Sequence, residues 1–289
     1  MQLLKMIFAP IGAIFKFINT NFKALVFLLI LAMIFMPDGE MKKPNLAQVD
    51  IKNTLLQTED ILEKLQALND DDSIKGVLLY IDSPGGAGAL SPSVELAMQV
   101  KKLAKNKKVV AYAAGSMTSG SYYAGVNAHK IVANPGSFIG SIGVIMQVPN
   151  LEALADKIGI SEQVVKAGEF KEAGTFTRKW SQSERDSLQK LVDASYELFT
   201  SDVAQARGLE TSKKDEWANA KIFLAGEAKQ VGLIDEIGGY FEAKAQLEEL
   251  SGVSEAVWEK KPQIEKFMEK FTSQGVNSMA NLLFNTQMR

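Results

Sequence analysis

Gly76-Val-Leu-Leu-Tyr-Ile-Asp-Ser-Pro-Gly-Gly86 and Val109-Val-Ala-Tyr-Ala-Ala-Gly-Ser-Met-Thr-Ser-Gly-Ser-Tyr-Tyr123 share one plan: an apolar, strand-like run ending in glycine and serine. In a parallel α/β sheet, ligand sites gather outside the carboxyl ends of the strands. Backbone N–H groups and a hydroxyl that meet there can hold an acyl oxyanion beside a nucleophile. Gly85-Gly86 after Ser83-Pro84 also reads as a tight turn. A double glycine, however, lets a substrate carbonyl approach bare N–H groups, and a helix expected from Ser91 adds its dipole. The second segment favours the site. Ser119-Gly120 leaves a strand and precedes Tyr122-Tyr123-Ala124-Gly125, residues suited to a buried helix. At that junction the serine points into a cleft faced by the Gly120 N–H. Ser116, Thr118 and Ser121 are rivals, each more at home as a capping or turn hydroxyl.

Outward from these segments the pattern alternates. Strands are expected at Leu46 to Ile51, Lys130 to Ala133, Ile142 to Val148 and Gln163 to Lys166. Helices are expected where Leu55, Ile61, Leu62, Leu65 and Leu68 recur at three- and four-residue spacing, and at Ser91 to Ala104, Asn150 to Lys157 and Gln182 to Arg207. Strand and helix in alternation imply an α/β fold, a parallel sheet with covering helices. No internal repeat is visible.

A serine nucleophile needs a base, and the chain has one histidine and no cysteine. His129 sits just before Ile131-Val-Ala133, where a polar surface residue is expected, so a Ser-His-Asp triad is the minor alternative and a lysine base the main one. The missing cysteine removes disulfides, thiol nucleophiles and thiolate metal sites together. With carboxylates alone and no ligand-like cluster, a metal site is not expected. The 289 residues carry 32 Lys+Arg against 34 Asp+Glu, a net charge of −2, which leaves no basic excess for nucleic acid.

At the N-terminus, Ala24-Leu-Val-Phe-Leu-Leu-Ile-Leu-Ala-Met-Ile-Phe-Met36 is unbroken apolar sequence. Spanning hydrocarbon takes roughly 20 residues. The length is met if the helix begins near Ile18 and Lys23 snorkels to the headgroups. Lys5, Lys16 and Lys23 precede the run, which puts the N-terminus in the cytoplasm and the rest of the chain outside it. A cleaved secretory signal is the competing reading, but Ile34-Phe-Met-Pro-Asp-Gly39 lacks the small-x-small cleavage pattern. The expected organisation is a cytoplasmic stub and transmembrane anchor over residues 1–36, a linker over 37–45, the folded domain over 46–250 and a tail over 251–289.

Asp82-Ser-Pro-Gly-Gly86, Ser119-Gly-Ser-Tyr-Tyr123, Ile131-Val-Ala-Asn-Pro-Gly136, Gly140-Ser-Ile-Gly-Val144, Phe170-Lys-Glu-Ala-Gly174, Thr177-Arg178 and Ala225-Gly-Glu-Ala-Lys-Gln-Val-Gly-Leu-Ile-Asp-Glu-Ile-Gly-Gly239 occur in this order. Together they resemble the signal peptide peptidase A family, bacterial membrane-anchored Ser-Lys peptidases. The resemblance covers about Leu46 to Leu250. It implies a Clp protease/crotonase-like fold, Ser119 as nucleophile, Lys171 as general base, and the N–H groups of Gly86 and Gly120 as oxyanion hole. It further implies peptide substrates left as signal-peptide remnants in the inner membrane, no cofactor, and a homo-oligomeric ring in which adjacent protomers supply the serine and the lysine. Two departures bear on turn geometry: Ser-Gly-Ser-Tyr stands where the family has Ser-Gly-Gly-Tyr, and Met117 to Ser119 is one residue shorter than usual.

A lysine base must shed its proton, although an ordinary ammonium titrates near about 10.4, so it has to be desolvated. Phe170 and Ala173 are apolar sequence neighbours of Lys171, and Glu169 and Glu172 are expected to point away. Three alternatives stay open: a quality-control peptidase for envelope proteins, a crotonase-like acyl-CoA enzyme, and a non-catalytic ring scaffold.

Overall fold

The computed structural model describes residues 16–35, 42–86 and 88–260. The chain divides into two units, one of them the body Pro44–Glu259. The other includes helix α1, Phe22–Phe35, which follows helical residues 16–20 through a turn at Asn21. Phe22, Phe27, Leu28, Leu29 and Ile30 are all exposed, and Lys23 is the one charged residue of α1. Among the described residues no helix is long and apolar enough to cross a membrane. Met36, the expected end of the span, lies outside them, as do the expected cytoplasmic stub up to residue 15 and residues 261–289.

In the body, β1 (Leu46–Leu55), α2 (Glu59–Asp70), β2 (Gly76–Gly86), α3 (Ser91–Asn106), β3 (Lys108–Thr118), α4 (Gly120–Gly125) and β4 (Lys130–Ala133) alternate as expected. They are followed by β5 (Phe138–Gly140), α5 (Glu152–Ile158), α6 (Gln182–Arg207), α7 (Lys214–Trp217), β6 (Ile222–Leu224), α8 (Ala225–Gln230), β7 (Glu236–Ile237) and α9 (Tyr240–Ser251). The sheet runs β1-β2-β3-β4-β7 with every pairing parallel, and β5 joins β3 on one side and antiparallel β6 on the other.

Residue parity explains how the sheet is covered on both faces. Val77, Leu79 and Ile81 of β2 and Val109, Ala111 and Ala113 of β3 enter the main core, with Leu65, Leu96, Val100 and Phe199 from the helices. Leu78 of β2 and Val110 and Tyr112 of β3 face the other way, onto Ala243 and Leu247 of α9. Successive strand residues alternate faces, so a strand buried on both sides is a continuous apolar run. Each fully buried Leu or Val contributes roughly 1.5–3 kcal/mol. The body extends past Leu250: Trp258 bridges to Leu46, and the Glu259 N–H donates to the Leu46 carbonyl at 2.7 Å.

Three local expectations are corrected. Leu55 closes β1 rather than opening a helix. Residues 142–148 and 163–166 form no strand, and Ile145, Val164 and Val165 are exposed. Their branched side chains suit a half-buried pleated surface, which no neighbouring strand among the described residues supplies.

Candidate active site

The two glycine–serine segments meet at the carboxyl ends of β2 and β3. β3 pairs with β4 through Val110 to Ala113 and with β5 through Ser116 to Thr118, so its last residues are gripped on both sides. The Asp82 carboxylate accepts the Ser116 N–H at 3.0 Å. Buried Ser121 accepts the Thr118 N–H at 2.9 Å and donates to the Ser83 carbonyl at 2.6 Å, tying the end of β3 to that of β2. Ser121 is the serine that departs from the family pattern, and its hydroxyl is structural. Ser83 in turn accepts the Gly85 N–H at 3.1 Å.

Ser119 is the single residue between β3 and α4, and the reversal of direction falls on it, at φ 51° and ψ −125°. Left-handed φ is costly for a residue with a Cβ, and such strain persists only where surroundings over-determine it. Here the Ser119 N–H donates to the Gly140 carbonyl at 2.7 Å, and its own carbonyl accepts the Tyr123 N–H at 3.0 Å. Below, Tyr122 donates to the Leu233 carbonyl at 2.7 Å, while Tyr123 stacks on Phe199 and donates to Asp202. Burial pushes both phenols up, so they stay neutral donors that anchor α4. The geometry is a strained strand-to-helix turn that lifts a hydroxyl out of the core, the form that a nucleophile elbow takes.

Partners separate the four candidate hydroxyls. Ser116 and Thr118 bond each other at 3.0 Å, and Ser121 is engaged as above. Ser119 is half-buried, and its hydroxyl has no partner among the described residues. Gly85 lies at φ 101°, where a Cβ would come 2.6 Å from the Gly120 N and 2.9 Å from the Ser119 Cβ. A Cβ on Gly120 would come 3.0 Å from the Gly86 N. The backbone nitrogens of Gly86 and Gly120 therefore lie close together at one corner beside Ser119, and the Gly120 N–H, at the first position of α4, has no helical partner of its own.

Lys171 is elsewhere in its bonding. It is exposed in a run of turns, its N–H donates to the Gly168 carbonyl at 3.3 Å, and its side chain makes no hydrogen bond or ion pair among the described residues, with Ser119 or any other group. The acidic neighbour is committed: Glu172 accepts from Arg178 at 3.0 Å and Lys166 at 2.9 Å, and these partners hold its carboxyl below the usual range. Arg178 also grips Glu184 at 2.7 Å, whose side chain is 4% exposed and closes the capping box with Ser181 that starts α6. A groove of about 590 Å³ lined by Leu151, Leu154, Ile158, Ile160, Phe176 and Arg178 lies beside this segment and does not include Ser119.

His129 takes no part. Its Nδ1 accepts the Val109 N–H at 3.1 Å, and burial, aided by Lys108, pushes the imidazole down, so it stays neutral near pH 7. Among the described residues no group of three or more His, Asp or Glu side chains converges as a metal site would require. Two serines that the sequence reading passed over, Ser93 and Ser141, lie at the same corner. Ser93 abuts Gly120, and Ser141, at φ 49°, follows the glycine that holds the Ser119 N–H. Ser93 sits in no pattern that sets it apart from a capping serine, and Ser141 falls inside the motif Gly140-Ser-Ile-Gly-Val144 without being singled out as a site residue.

The model of the family described as peptidase family S49 matches residues 101–254. A protein of Methanocaldococcus jannaschii, provisionally named a protease, is 40% identical over 66% of this chain and 60% of its own length. A protein of Enterococcus faecium, provisionally named signal peptide peptidase SppA, is 33% identical over 62% of this chain and 52% of its own. The chain thus spans roughly half to three fifths of these relatives. Among solved structures, a ClpP1 mutant from Listeria monocytogenes aligns with a TM-score of 0.48 at 15% identity, over 68% of this chain and 93% of that one.

Proposed function

The chain belongs to peptidase family S49, and from that premise we propose that it is a serine endopeptidase with Ser119 as nucleophile and Lys171 as general base. The observation that carries the reading is the free hydroxyl of Ser119 on a strained elbow, beside the N–H groups of Gly86 and Gly120. Ser119 Oγ attacks a peptide carbonyl, its proton passes to the lysine amine, and the carbonyl oxygen takes the negative charge between the two N–H groups. Collapse expels the amine with that proton, leaving an acyl-enzyme that water, activated by the same lysine, hydrolyses.

The base must be shielded from water, and within one chain Lys171 is exposed. In this reading a second copy supplies both the shield and the serine. The segment around Lys171 favours that: Ile145, Val165, Phe170 and Phe176 are exposed apolar side chains without cover, of the kind that marks an interaction surface. A ring of copies would place the lysine of one protomer at the Ser119 of the next. For substrate class, the name of the Enterococcus faecium relative suggests remnants of signal peptides. Helix α1, apolar apart from Lys23, suits an anchor in the cytoplasmic membrane with the body outside the cytoplasm.

Hydrolysis of unstructured peptides by the purified full chain tests the reading, with Ser119→Ala and Lys171→Ala as controls. Loss of turnover in both variants is expected. Wild-type rates in Ser119→Ala would remove the nucleophile, and wild-type rates in Lys171→Ala would remove the base.

A further inference from the structure

We propose that the hydroxyl of Ser93 is a third donor to the oxyanion, beside the N–H groups of Gly86 and Gly120. The proposal rests on the reading of Ser119 as nucleophile and deepens it.

Ser93 lies in the first turn of α3 and is 2% exposed. Its N–H donates to the Leu90 carbonyl at 3.1 Å, but its Oγ has no hydrogen-bond partner among the described residues. Buried hydroxyls are almost always bonded, because leaving one without water or a partner costs free energy. The neighbouring buried hydroxyls follow the rule: Ser83, Thr118 and Ser121 are all engaged in binding the site together. The Ser93 Oγ makes no such bond, yet among the described residues the sealed, unpaired side-chain atoms are Gln246 Oε1 and Ser251 Oγ, so the Ser93 hydroxyl keeps an opening to solvent. A Cβ on Gly120 would press directly against Ser93 Oγ, and one on Gly86 would come 3.5 Å from it. The Gly120 Cβ position also lies 3.0 Å from the Gly86 N, so the Ser93 hydroxyl fills the space that a side chain at 120 would take and stands beside both glycines.

An oxyanion held by the two amides lies within reach of that hydroxyl. An O–H···O⁻ bond is short and charge-assisted, about 2.5–2.7 Å. A neutral carbonyl oxygen draws less from it than the full charge formed on attack by Ser119. The contribution therefore belongs to the transition state and falls on kcat more than on KM.

The test uses the full chain as wild type, Ser93→Ala and Ser93→Cys. These are compared in peptide hydrolysis, in melting temperature, and in affinity for a peptide boronate, which forms an anionic tetrahedral adduct on a serine. Expected is a fall in kcat on the order of 10²-fold with KM within about threefold, as for loss of one oxyanion donor. Boronate affinity should fall in parallel while product-peptide affinity and melting temperature hold. Wild-type kcat in either folded variant would overturn the proposal. So would equal losses of boronate and product-peptide binding accompanied by lower melting, which would make Ser93 a packing residue. A wild type that neither hydrolyses peptide nor binds boronate would sink the Ser119 reading and this proposal with it. Hydrolysis abolished by Ser119→Ala but untouched by Ser93→Ala would sink the proposal alone.

Discussion

Gly120→Ala is the substitution that puts most of the site at stake with one carbon atom. The glycine is outside the left-handed region, so alanine meets no backbone strain, and the effect is purely spatial. The added Cβ would sit 3.0 Å from the Gly86 N, 3.1 Å from the Ser93 Cβ and hard against the Ser93 Oγ. Overpacking of this kind costs about 1–3 kcal/mol. Alanine at a helix start returns at most about 1 kcal/mol of propensity. The net cost of about 0–3 kcal/mol lowers the melting temperature by up to roughly 12 °C in a body of this size. Activity falls much further, because the methyl displaces the Ser93 hydroxyl and crowds the Gly86 N: on the order of 10²-fold, as for the loss of one donor. Combining Ser93→Ala with Gly120→Ala removes the worst contact but leaves the methyl against the Gly86 N. The double variant should regain part of the melting temperature and none of the turnover. Thermal denaturation and steady-state hydrolysis of a fluorogenic unstructured peptide measure the two quantities. A Gly120→Ala protein with near-wild-type kcat would refute the placement of the oxyanion, whatever its stability.

Mixing two dead variants tests whether the site is shared between copies. If Ser119 of one protomer works with Lys171 of its neighbour, co-assembled Ser119→Ala and Lys171→Ala chains should recover about a quarter of the wild-type sites by random association; no recovery after verified co-assembly would place both residues in one protomer. Arg178 first, then the Ser181 N–H, holds the Glu184 carboxyl at about 2, against an ordinary 4.5. A carboxylate with a depressed value stabilises the fold fully above its ordinary range and loses that contribution as pH falls from about 4.5 towards about 2. Glu184→Gln should therefore melt lower than wild type at pH 7, with the gap closing through that window; a gap constant with pH would show that the ion pair is not what Glu184 contributes.

How far the sequence could be read differs sharply between the two halves of the proposed dyad. β2, β3, α3 and α6 were legible because each carries its own cause: Val77 to Ile81 and Val109 to Ala113 are apolar without interruption, as burial on both faces demands. Ser119 was legible for the same reason, since the strand before it and the Gly120 and Tyr123 after it are all it needs to become an elbow. Ser93 was not legible, because its importance comes from a glycine remote from it in the chain, and nothing in Ser91-Pro92-Ser93 differs from an ordinary helix start.

Residues 142–176 show the opposite failure. Ile142 to Val148 and Gln163 to Lys166 have the composition of strands, yet among the described residues they pair with no strand, and of their apolar side chains only Ile142 is buried while Ile145, Met146, Val164 and Val165 lie exposed. Apolar patterning reports that a surface will be covered, not by what. If the cover is another copy of the chain, then the strand-like composition of this segment and the exposure of Lys171 have one cause: both are halves of an interface. The turn at Ser119, buttressed by Tyr122, Tyr123 and Ser121, is complete in a single chain, and the surroundings of Lys171, the proposed base, are not. Hydrolysis would then depend on assembly. Diluting the protein below its association range should abolish turnover while leaving the melting of the body Pro44–Glu259, whose core is its own, largely in place.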